Sequence, residues 1–378
     1  MKIKIEKIVH NGLGLGRVNN KTIFVPYTLP DEYVEVEIIE DKKSYATGVL
    51  NNIIKKSPKR IKPICKYFTR CGGCDFLHIP YDEQINIKKE ILKYFLNKIN
   101  IDDNNIEFIT SPETFNYRNS VKFRILNNMP SFYQRHSYNF VNIDYCFLLK
   151  ENINNFIKNL KLDKYFEYLI IKSDNKDRIS TNIYSKGKKN RISFEIDELK
   201  IYYDYRVFFQ VNESIIPLWL GTIKDFIQDM PKKRIVELYS GVGIISLYLS
   251  SKFKEIKKIT GVEIDNLAVN FAKINREKNK LLNTHFISGK VNKVLNNFKE
   301  SHINILILDP PREGVDKLSR NKIIKLRPDT IIYSSCEIST FIRDAQFFIE
   351  NGYSLIDIKG IDMFPQTYHF EIVAKFSL

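Results

Sequence analysis

The chain is poor in cysteine, with only five among 378 residues, and so sparse and odd a set does not suit a disulfide framework. Its first residues hold no apolar core of signal-peptide length. The apolar run Ile303–Leu308 is far too short to cross a bilayer and is interrupted by Asn304. We therefore predict a cytoplasmic protein with reduced thiols and no membrane association.

Acidic side chains are also in short supply, because 44 Asp and Glu face 59 Lys and Arg, which gives a net charge of +15. Such an excess predicts affinity for nucleic acid or for an anionic membrane, and without an amphipathic anchor we favour nucleic acid. A hydrophobic content of 43% with 27% charged residues is typical of a globular protein. The length predicts two or three domains, and we expect a monomer.

Residues 1–57 are predicted to form a small β-barrel of the oligonucleotide-binding type, because they contain short strand patterns with tight connections. The glycines of Gly12–Gly16 predict a flexible connection. The basic run Lys55–Arg60 follows and favours an RNA-binding role over a barrel without a ligand. The predicted strands are Ile3–Ile8, Thr22–Val25, Tyr33–Ile39 and Tyr45–Leu50.

The rest of the chain is predicted to divide at residue 206. Residues 58–206 form a mainly β central domain with a helix over Tyr81–Ile99, and we expect the part 77–109 to pack on the C-terminal domain. Residues 207–378 alternate short strands with helix-length segments, which predicts a doubly wound, Rossmann-like α/β domain. Its predicted strands are Ile235–Leu238, Lys258–Val262, Thr284–Ile287, Ile303–Leu308 and Thr330–Tyr333, with a closing hairpin of Ile356–Gly360 and Phe370–Phe376.

The cysteines divide into four plus one. Cys65, Cys71 and Cys74 lie within ten residues and Cys146 follows 72 positions after Cys74, a set that suits an iron–sulfur cluster or a structural zinc. Because the spacing lacks the paired Cys-x2-Cys ends of zinc ribbons, we predict a [4Fe–4S] cluster. Cys336 stands alone in a polar turn and is a candidate nucleophile, the alternative being a buried cysteine that only packs.

A glycine turn indicates a nucleotide-like ligand in the C-terminal domain. Glu237–Gly243 joins a predicted strand to a predicted helix, and Gly241 and Gly243 let a ligand approach the backbone. Glu263 ends the next strand, where it can accept hydrogen bonds from ribose hydroxyls. NAD enzymes and methyltransferases share this pattern, but Ser246 replaces the third fingerprint glycine and disfavours NAD. A Rossmann-like fold without a ligand is the remaining alternative.

Two carboxylates accompany this turn. Asp309 begins the segment Asp-Pro-Pro-Arg312 after the fourth predicted strand, at the sheet edge where ligands bind, and can hydrogen-bond a planar base. Glu371 lies beside apolar residues and is a candidate general base, because desolvation raises the pKa of a carboxylate. Taken singly, the first could be a strand-ending turn and the second a surface residue. A cluster, a reactive thiol and a strong positive charge in one chain together predict covalent chemistry on a polyanion.

These motifs, in this order, resemble those of the RNA uracil-5-methyltransferases, and within them the iron–sulfur enzymes that modify 23S ribosomal RNA. The resemblance covers nearly the whole chain: residues 1–57 are similar to the family's TRAM barrel, and Phe208–Asn212 matches the start of its catalytic domain. It implies S-adenosylmethionine as methyl donor, Cys336 as nucleophile, Glu371 as general base and the four other cysteines as [4Fe–4S] ligands. The residues implied to contact the donor or frame the target base are Gln210, Tyr239, Glu263 and Asp309.

Two departures from the family pattern concern the same domain. The family usually carries Asn-Pro after the nucleophile, where this chain has Glu337-Ile338. Members of the family that resemble this chain carry Asn where this chain has Ile244. The first changes geometry or charge near the thiolate, and the second removes one hydrogen bond to the donor. Neither removes a group that the chemistry requires.

The chemistry of uracil explains why these residue types occur together. Carbon 5 is too weak a nucleophile to accept a methyl group until a thiolate adds to carbon 6, and a base must then remove the carbon 5 proton so that the thiol can leave. Asp309 and Gln210 are expected to bond the polar edge of the ring. Phe208 is a candidate platform for stacking a base that has left its helix.

Several alternatives remain. RNA cytosine-5 methyltransferases typically carry a cysteine beside the Asp-Pro motif, where this chain has Arg312. Methylation of an amino group needs no nucleophile, so Cys336 argues against it. Transfer-RNA enzymes of the family generally lack the barrel and the cluster, so we favour ribosomal RNA. A non-catalytic RNA-binding or assembly factor would not need the pair of Cys336 and Glu371.

Overall fold

The N-terminal segment folds into a closed barrel. The computed structural model describes residues 1–101, 106–135, 137–162, 165–184, 190–298 and 302–378 of the chain. The barrel strands are β1 (Lys2–Val9), β2 (Leu13–Val18), β3 (Lys21–Pro26), β4 (Tyr33–Asp41) and β5 (Tyr45–Lys55). They pair in the order β1-β2-β3-β5-β4. Alternate apolar residues, such as Ile3, Ile5, Val34 and Val36, face inward and fill the barrel.

The glycine-rich stretch predicted to be a flexible connection is strand β2, and that prediction was wrong. A Cβ atom at Gly14 would lie 2.0 Å from the Thr28 hydroxyl oxygen, and one at Gly16 would lie 2.4 Å from the Lys4 carbonyl oxygen. These glycines therefore permit close packing of neighbouring strands and segments. The turn before them is a short 3-10 helix at His10–Gly12.

After the barrel the chain passes through the three-cysteine segment into α1 (Tyr81–Asn97) and β6 (Glu107–Ile109). Helix α1 follows the predicted helical pattern and buries Ile85, Ile91 and Leu92. Those side chains belong to the same apolar core as the C-terminal sheet. This stretch therefore packs on the C-terminal part of the chain, although it lies far from it in sequence.

A separate antiparallel sheet follows, with strand order β11-β10-β7-β8-β9 and one packed helix, α2. Phe123, Leu169 and Ile171 lie in its core. A two-stranded hairpin then leads towards the C-terminal part. These elements are β7 (Ser120–Leu126), β8 (Met129–Tyr133), β9 (Phe140–Asn142), α2 (Glu151–Lys158), β10 (Tyr168–Ser173), β11 (Ile179–Thr181), β12 (Ile192–Ile196) and β13 (Leu199–Tyr203).

The C-terminal part alternates strands and helices, as predicted. Its elements are α3 (Ile216–Phe226), β14 (Arg234–Leu238), α4 (Ile244–Lys252), β15 (Lys258–Glu263), α5 (Asn266–Lys278), β16 (Thr284–Ser288), α6 (Val291–Val294), β17 (Ile305–Leu308), α7 (Lys317–Leu326), β18 (Thr330–Ser335), α8 (Ile338–Glu350), β19 (Ser354–Ile361) and β20 (Glu371–Ser377). Within the part of the chain that the structure describes, no helix is both long and apolar enough to span a membrane.

The topology of the C-terminal sheet brings distant loops to one edge. Its order is β16-β15-β14-β17-β18-β20-β19-β6, and β14 to β18 pair in parallel. The strand order reverses between β14 and β17, which opens a crevice at their carboxyl ends. The antiparallel pair of β18 and β20 sets Ser335 opposite Ile372. Cys336 and Glu371, each one residue beyond that pair, therefore meet at the same edge.

Candidate active site

A cavity of about 1060 Å³ lies over the carboxyl edge of this sheet. It gathers residues that are about 300 positions apart in sequence, from Gly72 to Glu371. All but one of the residues predicted for catalysis, donor binding or base binding line it: Phe208, Gln210, Tyr239, Gly241, Glu263, Asp309, Cys336 and Glu371. The exception is Gly243.

The glycine turn after β14 has an unusual backbone. Tyr239, Gly241 and Gly243 all have positive φ angles, of 66°, 52° and 85°. A Cβ at Gly241 would meet no atom of the described residues within 4 Å, whereas one at Gly243 would lie 2.6 Å from the ring of Phe286. Gly241 thus opens the loop to the cavity, while Gly243 lets α4 begin close against its neighbours.

Two carboxylates fix this loop and the start of α4 through hydrogen bonds. Glu263 accepts hydrogen bonds from the backbone N–H groups of Gly241, at 3.0 Å, and of Asp265, at 2.8 Å. Glu237 is buried and accepts from both the backbone N–H and the hydroxyl of Ser246. Burial raises the pKa of Glu237 to about 8, although the Ser246 bonds oppose the shift. The serine that replaces the third fingerprint glycine therefore anchors the loop.

Negative charge is crowded around Cys336. Burial raises the pKa of its thiol to about 12, and the Glu371 and Asp309 carboxylates add to the rise, while Arg312 opposes it. Burial and repulsion by Glu263 raise the pKa of Asp309 to about 7. The cavity wall therefore favours a positively charged ligand beside these groups, because such a ligand would offset their mutual repulsion.

Glu371 is buried in the cavity wall, with a relative exposure of only 2%. Burial and the nearby Asp309 raise its pKa well above the usual range for a carboxyl group. One oxygen, Oε1, accepts a hydrogen bond of 2.5 Å from the hydroxyl of Ser334, and that bond opposes the rise. A carboxylate in such an environment is a stronger base than one in water.

The segment before α3 forms the opposite wall. Phe208 is 68% exposed on the cavity side, whereas the next ring, Phe209, stacks on Tyr203 at a centroid distance of 4.1 Å. The Gln210 backbone carbonyl accepts a bond from Asn119 at 3.0 Å, which anchors the segment to the central sheet. The buried Phe209 thus fixes the backbone so that Phe208 remains available for a planar ligand.

Sequence reasoning missed several residues of this wall. Tyr368 and His369 line the cavity just before Glu371, and their rings lie 3.9 Å apart. Asp75 accepts a bond from the Tyr368 backbone and pairs with Arg135, so it joins the cysteine segment to the cavity wall. The irregular, aromatic-rich sequence 362–371 contains a signal for the first two, but no local pattern marks the others.

The four remaining cysteines line a second cavity, of about 360 Å³. Cys65, Cys71 and Cys74 come from the turn-rich segment before α1, and Cys146 lies just before α2. The backbone N–H of Cys146 donates to the Asn154 side chain at 3.0 Å, which fixes its position. The two cavities share a wall, formed by Gly72, Gly73, Arg118 and Arg135.

The electrostatics of this second cavity suit a group that binds thiolates. Burial raises the pKa of Cys65 and Cys74, and raises that of Cys71 to about 11, with added repulsion from Cys146. The guanidinium of Arg118 opposes the rise at Cys71 and Cys74. Among the described residues, however, no group of three or more Cys, His, Asp or Glu side chains is arranged to hold a metal ion. The set therefore shares one cavity without converging on a single ion.

Comparison with known proteins agrees with this architecture. Residues 1–50 match the TRAM domain, and residues 152–375 match the family model described as tRNA (Uracil-5-)-methyltransferase. An uncharacterized RNA methyltransferase from Aquifex aeolicus is 30% identical, over 99% of this chain and 97% of its own length. Another, from Clostridium tetani, is 29% identical, over 96% of this chain and 93% of its own length.

A solved structure supports the fold. The Pyrococcus abyssi tRNA (uracil-54, C5)-methyltransferase in complex with S-adenosyl-L-homocysteine superposes with a TM-score of 0.78 and covers 100% of both chains. Its sequence is 23% identical to this chain, so the likeness is one of fold. The combination of an N-terminal five-stranded barrel with a methyltransferase fold, expected from the sequence, is confirmed.

Proposed function

The chain belongs to the S-adenosylmethionine-dependent RNA uracil-5-methyltransferase family, and we propose that it methylates carbon 5 of a uridine in 23S ribosomal RNA through a covalent cysteine–uracil intermediate. One observation carries the proposal. A thiol, a buried carboxylate, a second carboxylate and an open glycine loop line the same cavity: Cys336, Glu371, Asp309 and the loop at Gly241. Addition to uracil, methylation and proton removal need these groups within reach of one ring.

Cys336 is the proposed nucleophile. Its thiolate adds to carbon 6 of uracil, and the electron pair of the carbon 5–carbon 6 double bond moves into the enolate. The raised pKa favours the protonated thiol, and the positive sulfonium of a bound methyl donor would favour loss of its proton to solvent. The neighbouring Arg312 favours the thiolate, because its positive charge opposes the effect of the two carboxylates on the Cys336 pKa.

Glu371 is the proposed general base. After carbon 5 has received the methyl group, Glu371 takes the carbon 5 proton, the electrons of that bond restore the ring double bond, and the sulfur of Cys336 leaves carbon 6 with its electron pair. The sheet register that sets β18 against β20 supports this assignment, because it brings both side chains to one edge.

The base-binding wall is proposed to consist of Phe208, Gln210 and Asp309. Phe208 offers an exposed ring on which a uracil that has left its helix can stack. Asp309 has a pKa raised to about 7, so it can be protonated and donate to a uracil oxygen or be ionised and accept from a ring N–H.

The methyl donor supplies an electrophilic methyl group on a positively charged sulfonium, and the residues present fit such a ligand. Glu263 and Asp309 place negative charge at the cavity, and Tyr239, Gly241 and Gln210 are the other proposed contacts. For Gly243 we propose a packing role instead, because its Cβ position faces Phe286 and the residue does not line the cavity.

A [4Fe–4S] cluster is proposed for the second cavity, held by Cys65, Cys71, Cys74 and Cys146. Support comes from the four thiols that share one cavity, the donor set that such clusters use. The cluster would tie the three-cysteine segment before α1 to the loop between β9 and α2 that contains Cys146.

The division of labour along the chain is likewise a proposal. We assign RNA binding to residues 1–57, the cluster to residues 58–206 and catalysis to residues 207–378, in a monomer that acts in the cytoplasm. The net charge of +15 supports binding to a polyanion, since basic side chains release the counterions of RNA. Helix α1 and strand β6 belong to residues 58–206 but pack on the sheet of residues 207–378, so these two parts of the chain are in direct contact.

A transfer RNA is the second candidate substrate. The Pyrococcus abyssi protein named for a transfer-RNA uridine covers this chain over its full length, barrel included. From the sequence we expected the barrel to distinguish ribosomal-RNA enzymes from transfer-RNA enzymes. Its presence therefore does not make that distinction. A non-catalytic assembly factor has less support, because such a protein would not need Cys336 and Glu371 in one cavity.

Mapping of modified nucleosides tests the proposal directly. We expect 23S ribosomal RNA from a strain without this gene to lack one or more 5-methyluridines, and the purified protein with S-adenosylmethionine to restore them. Mass spectrometry of ribonuclease fragments locates the site. If the missing methyl group lies in transfer RNA, the second candidate is correct, and if neither RNA changes, the proposed activity is wrong.

A further inference from the structure

A chain of buried hydrogen bonds lies behind the cavity, on the side away from the substrates. The indole N–H of Trp219, on α3, lies 3.0 Å from the Ser334 hydroxyl oxygen, which in turn lies 2.5 Å from Oε1 of Glu371. Trp219 and Ser334 have a relative exposure of 0% and do not line the cavity. The three side chains come from α3, β18 and β20, so the contact depends on tertiary packing.

The direction of both bonds follows from the chemistry of the groups. An indole nitrogen only donates, so the Ser334 oxygen must accept from Trp219. The Ser334 proton is then free to point at Glu371, and a carboxylate oxygen accepts it. Trp219 thus fixes the rotation of the Ser334 hydroxyl, which alone could turn to either role.

This arrangement makes the two oxygens of Glu371 unequal. Oε1 is occupied by Ser334, whereas Oε2 accepts no hydrogen bond from the described residues. Because Glu371 lines the cavity, its free oxygen is the one available to a bound ring. A buried carboxylate that accepts no hydrogen bond would favour its protonated, neutral form, which cannot accept a further proton.

We propose that Ser334, oriented by Trp219, is a positioning residue that holds one oxygen of Glu371 and directs its free oxygen to carbon 5. The inference rests on the proposed function, since it assigns a partner to the proposed base. It adds two residues, one of them the protein's single tryptophan, that neither the motifs nor the comparisons mark.

The effect of pH depends on every charged group that faces Glu371. Asp309 raises its pKa and the Ser334 bond lowers it. Cys336 is a titratable neighbour, and the charge of Glu371 raises its pKa. The other titratable or charged groups around Glu371 are the buried pair of Lys88 and Asp362, just after the end of β19, and Arg312 and His369 in the cavity wall. Removal of the Ser334 hydroxyl leaves all of these in place. Its loss should therefore raise the Glu371 pKa and move the acidic limb of the elimination step to higher pH.

The first test separates elimination from the steps before it. We would compare wild type with Ser334→Ala on unmodified 23S ribosomal RNA, measuring both product and covalent adduct. Ser334→Ala should slow elimination about tenfold or more at neutral pH, move its acidic limb up by about one pH unit, and let a methylated adduct accumulate. RNA that contains 5-fluorouridine has no carbon 5 proton to lose, so both proteins should form that adduct at the same rate.

The second test uses the lone tryptophan as a probe without RNA. In wild type, the emission of Trp219 should change with pH as Glu371 ionises, through the Ser334 hydroxyl. Glu371→Gln should abolish this titration, and Ser334→Ala should move its midpoint to higher pH. Trp219→Phe keeps an aromatic ring but loses the indole N–H donor. It should shift the acidic limb of the pH profile of elimination less than Ser334→Ala does.

A matched control comes from the same strand. Thr330→Val removes a buried hydroxyl from β18 whose contacts are Met230 and Ser377, so it should leave elimination and emission unchanged. Ser334→Thr keeps a hydroxyl, so the acidic limb of its elimination should lie at the same pH as in the wild type. If Ser334→Ala behaves like Thr330→Val in both tests while Glu371→Gln traps RNA, the inference is overturned. If Glu371→Gln traps no RNA, the proposed base is wrong, whatever Ser334→Ala shows.

Discussion

The two cavities of this protein share a wall but are assembled in opposite ways. The cysteine cavity takes three of its four thiols from ten consecutive residues, and those thiols repel one another's charge. The reaction cavity takes its thiol and three of its carboxyl groups, those of Glu263, Asp309 and Glu371, from the ends of four different strands. The first is a local motif closed by one distant residue, whereas the second exists only when the whole sheet is folded.

The difference also concerns charge. Thiols with raised pKa values suit a centre that displaces their protons, as metals do. Carboxylates with raised pKa values suit a cationic ligand, and the sulfonium of a methyl donor is one. The protein as a whole carries +15, whereas the carboxyl groups of Asp309 and Glu371 lie beside the reacting thiol. Long-range charge can then attract RNA while the cavity favours the donor.

The largest expected effects come from exchanging one cysteine in each cavity. Cys336→Ser should abolish methyl transfer and leave the iron content at wild-type level, because Cys336 does not line the cysteine cavity. Cys74→Ser should remove the cluster and with it the brown absorbance of anaerobically purified protein, which should otherwise hold about four irons per chain. Iron analysis and a methylation assay on the same samples check both results.

Zinc in place of iron in the wild-type protein would refute the cluster but leave the catalytic proposal standing. Loss of iron in Cys336→Ser would contradict the separation of the two cavities.

A medium effect is expected from the two glycines of the loop. Gly243→Ala combines a left-handed backbone, which costs about 1–2 kcal/mol for a residue with a side chain, with an overlap against Phe286 that costs about 1–3 kcal/mol. Gly241→Ala has the backbone cost alone and should weaken donor binding more than folding. Chemical denaturation and calorimetric titration with S-adenosylhomocysteine distinguish the two. Equal losses of stability would show that Phe286 moves aside.

A smaller effect is expected in the alkylation of Cys336 by iodoacetamide. Its raised pKa, about 12, means that thiolate is scarce near neutral pH, so the rate should rise about tenfold per pH unit from pH 7 to 9. Asp309→Asn removes one repelling charge, which should lower the thiol pKa and speed alkylation severalfold. Peptide mass spectrometry separates Cys336 from the other cysteines. A plateau near pH 9 in the wild type would show an ordinary thiol.

The sequence predicted the parts of this molecule that repeat a short pattern. The parallel strands, the glycine turn and Asp309 were recognisable because each combines a period of apolar residues with a defined turn. The glycines of β2 misled us, since the same residue serves flexible loops and crowded barrel interiors, and only the approach of Thr28 and Lys4 distinguishes them.

Contacts between distant segments could not be predicted in this way. Arg118 lies in the wall between the cavities, and Trp219 reaches Ser334 across 115 residues of sequence. Neither lies in a motif, because tertiary packing places them, and for Trp219 this is the packing of α3 on the C-terminal sheet. A single sequence contains the residues of such contacts but not their proximity.

The most direct test of the central claim is the fate of RNA on Glu371→Gln. The variant should still add Cys336 to carbon 6 and methylate carbon 5, but it should lose about 10²–10⁴-fold in proton removal. A covalent adduct that resists denaturation should therefore accumulate on a gel, with a mass that includes one added methyl group, and Cys336→Ala should form none. Normal turnover by Glu371→Gln, or loss of activity without trapped RNA, would contradict the assignment of Glu371 as the base.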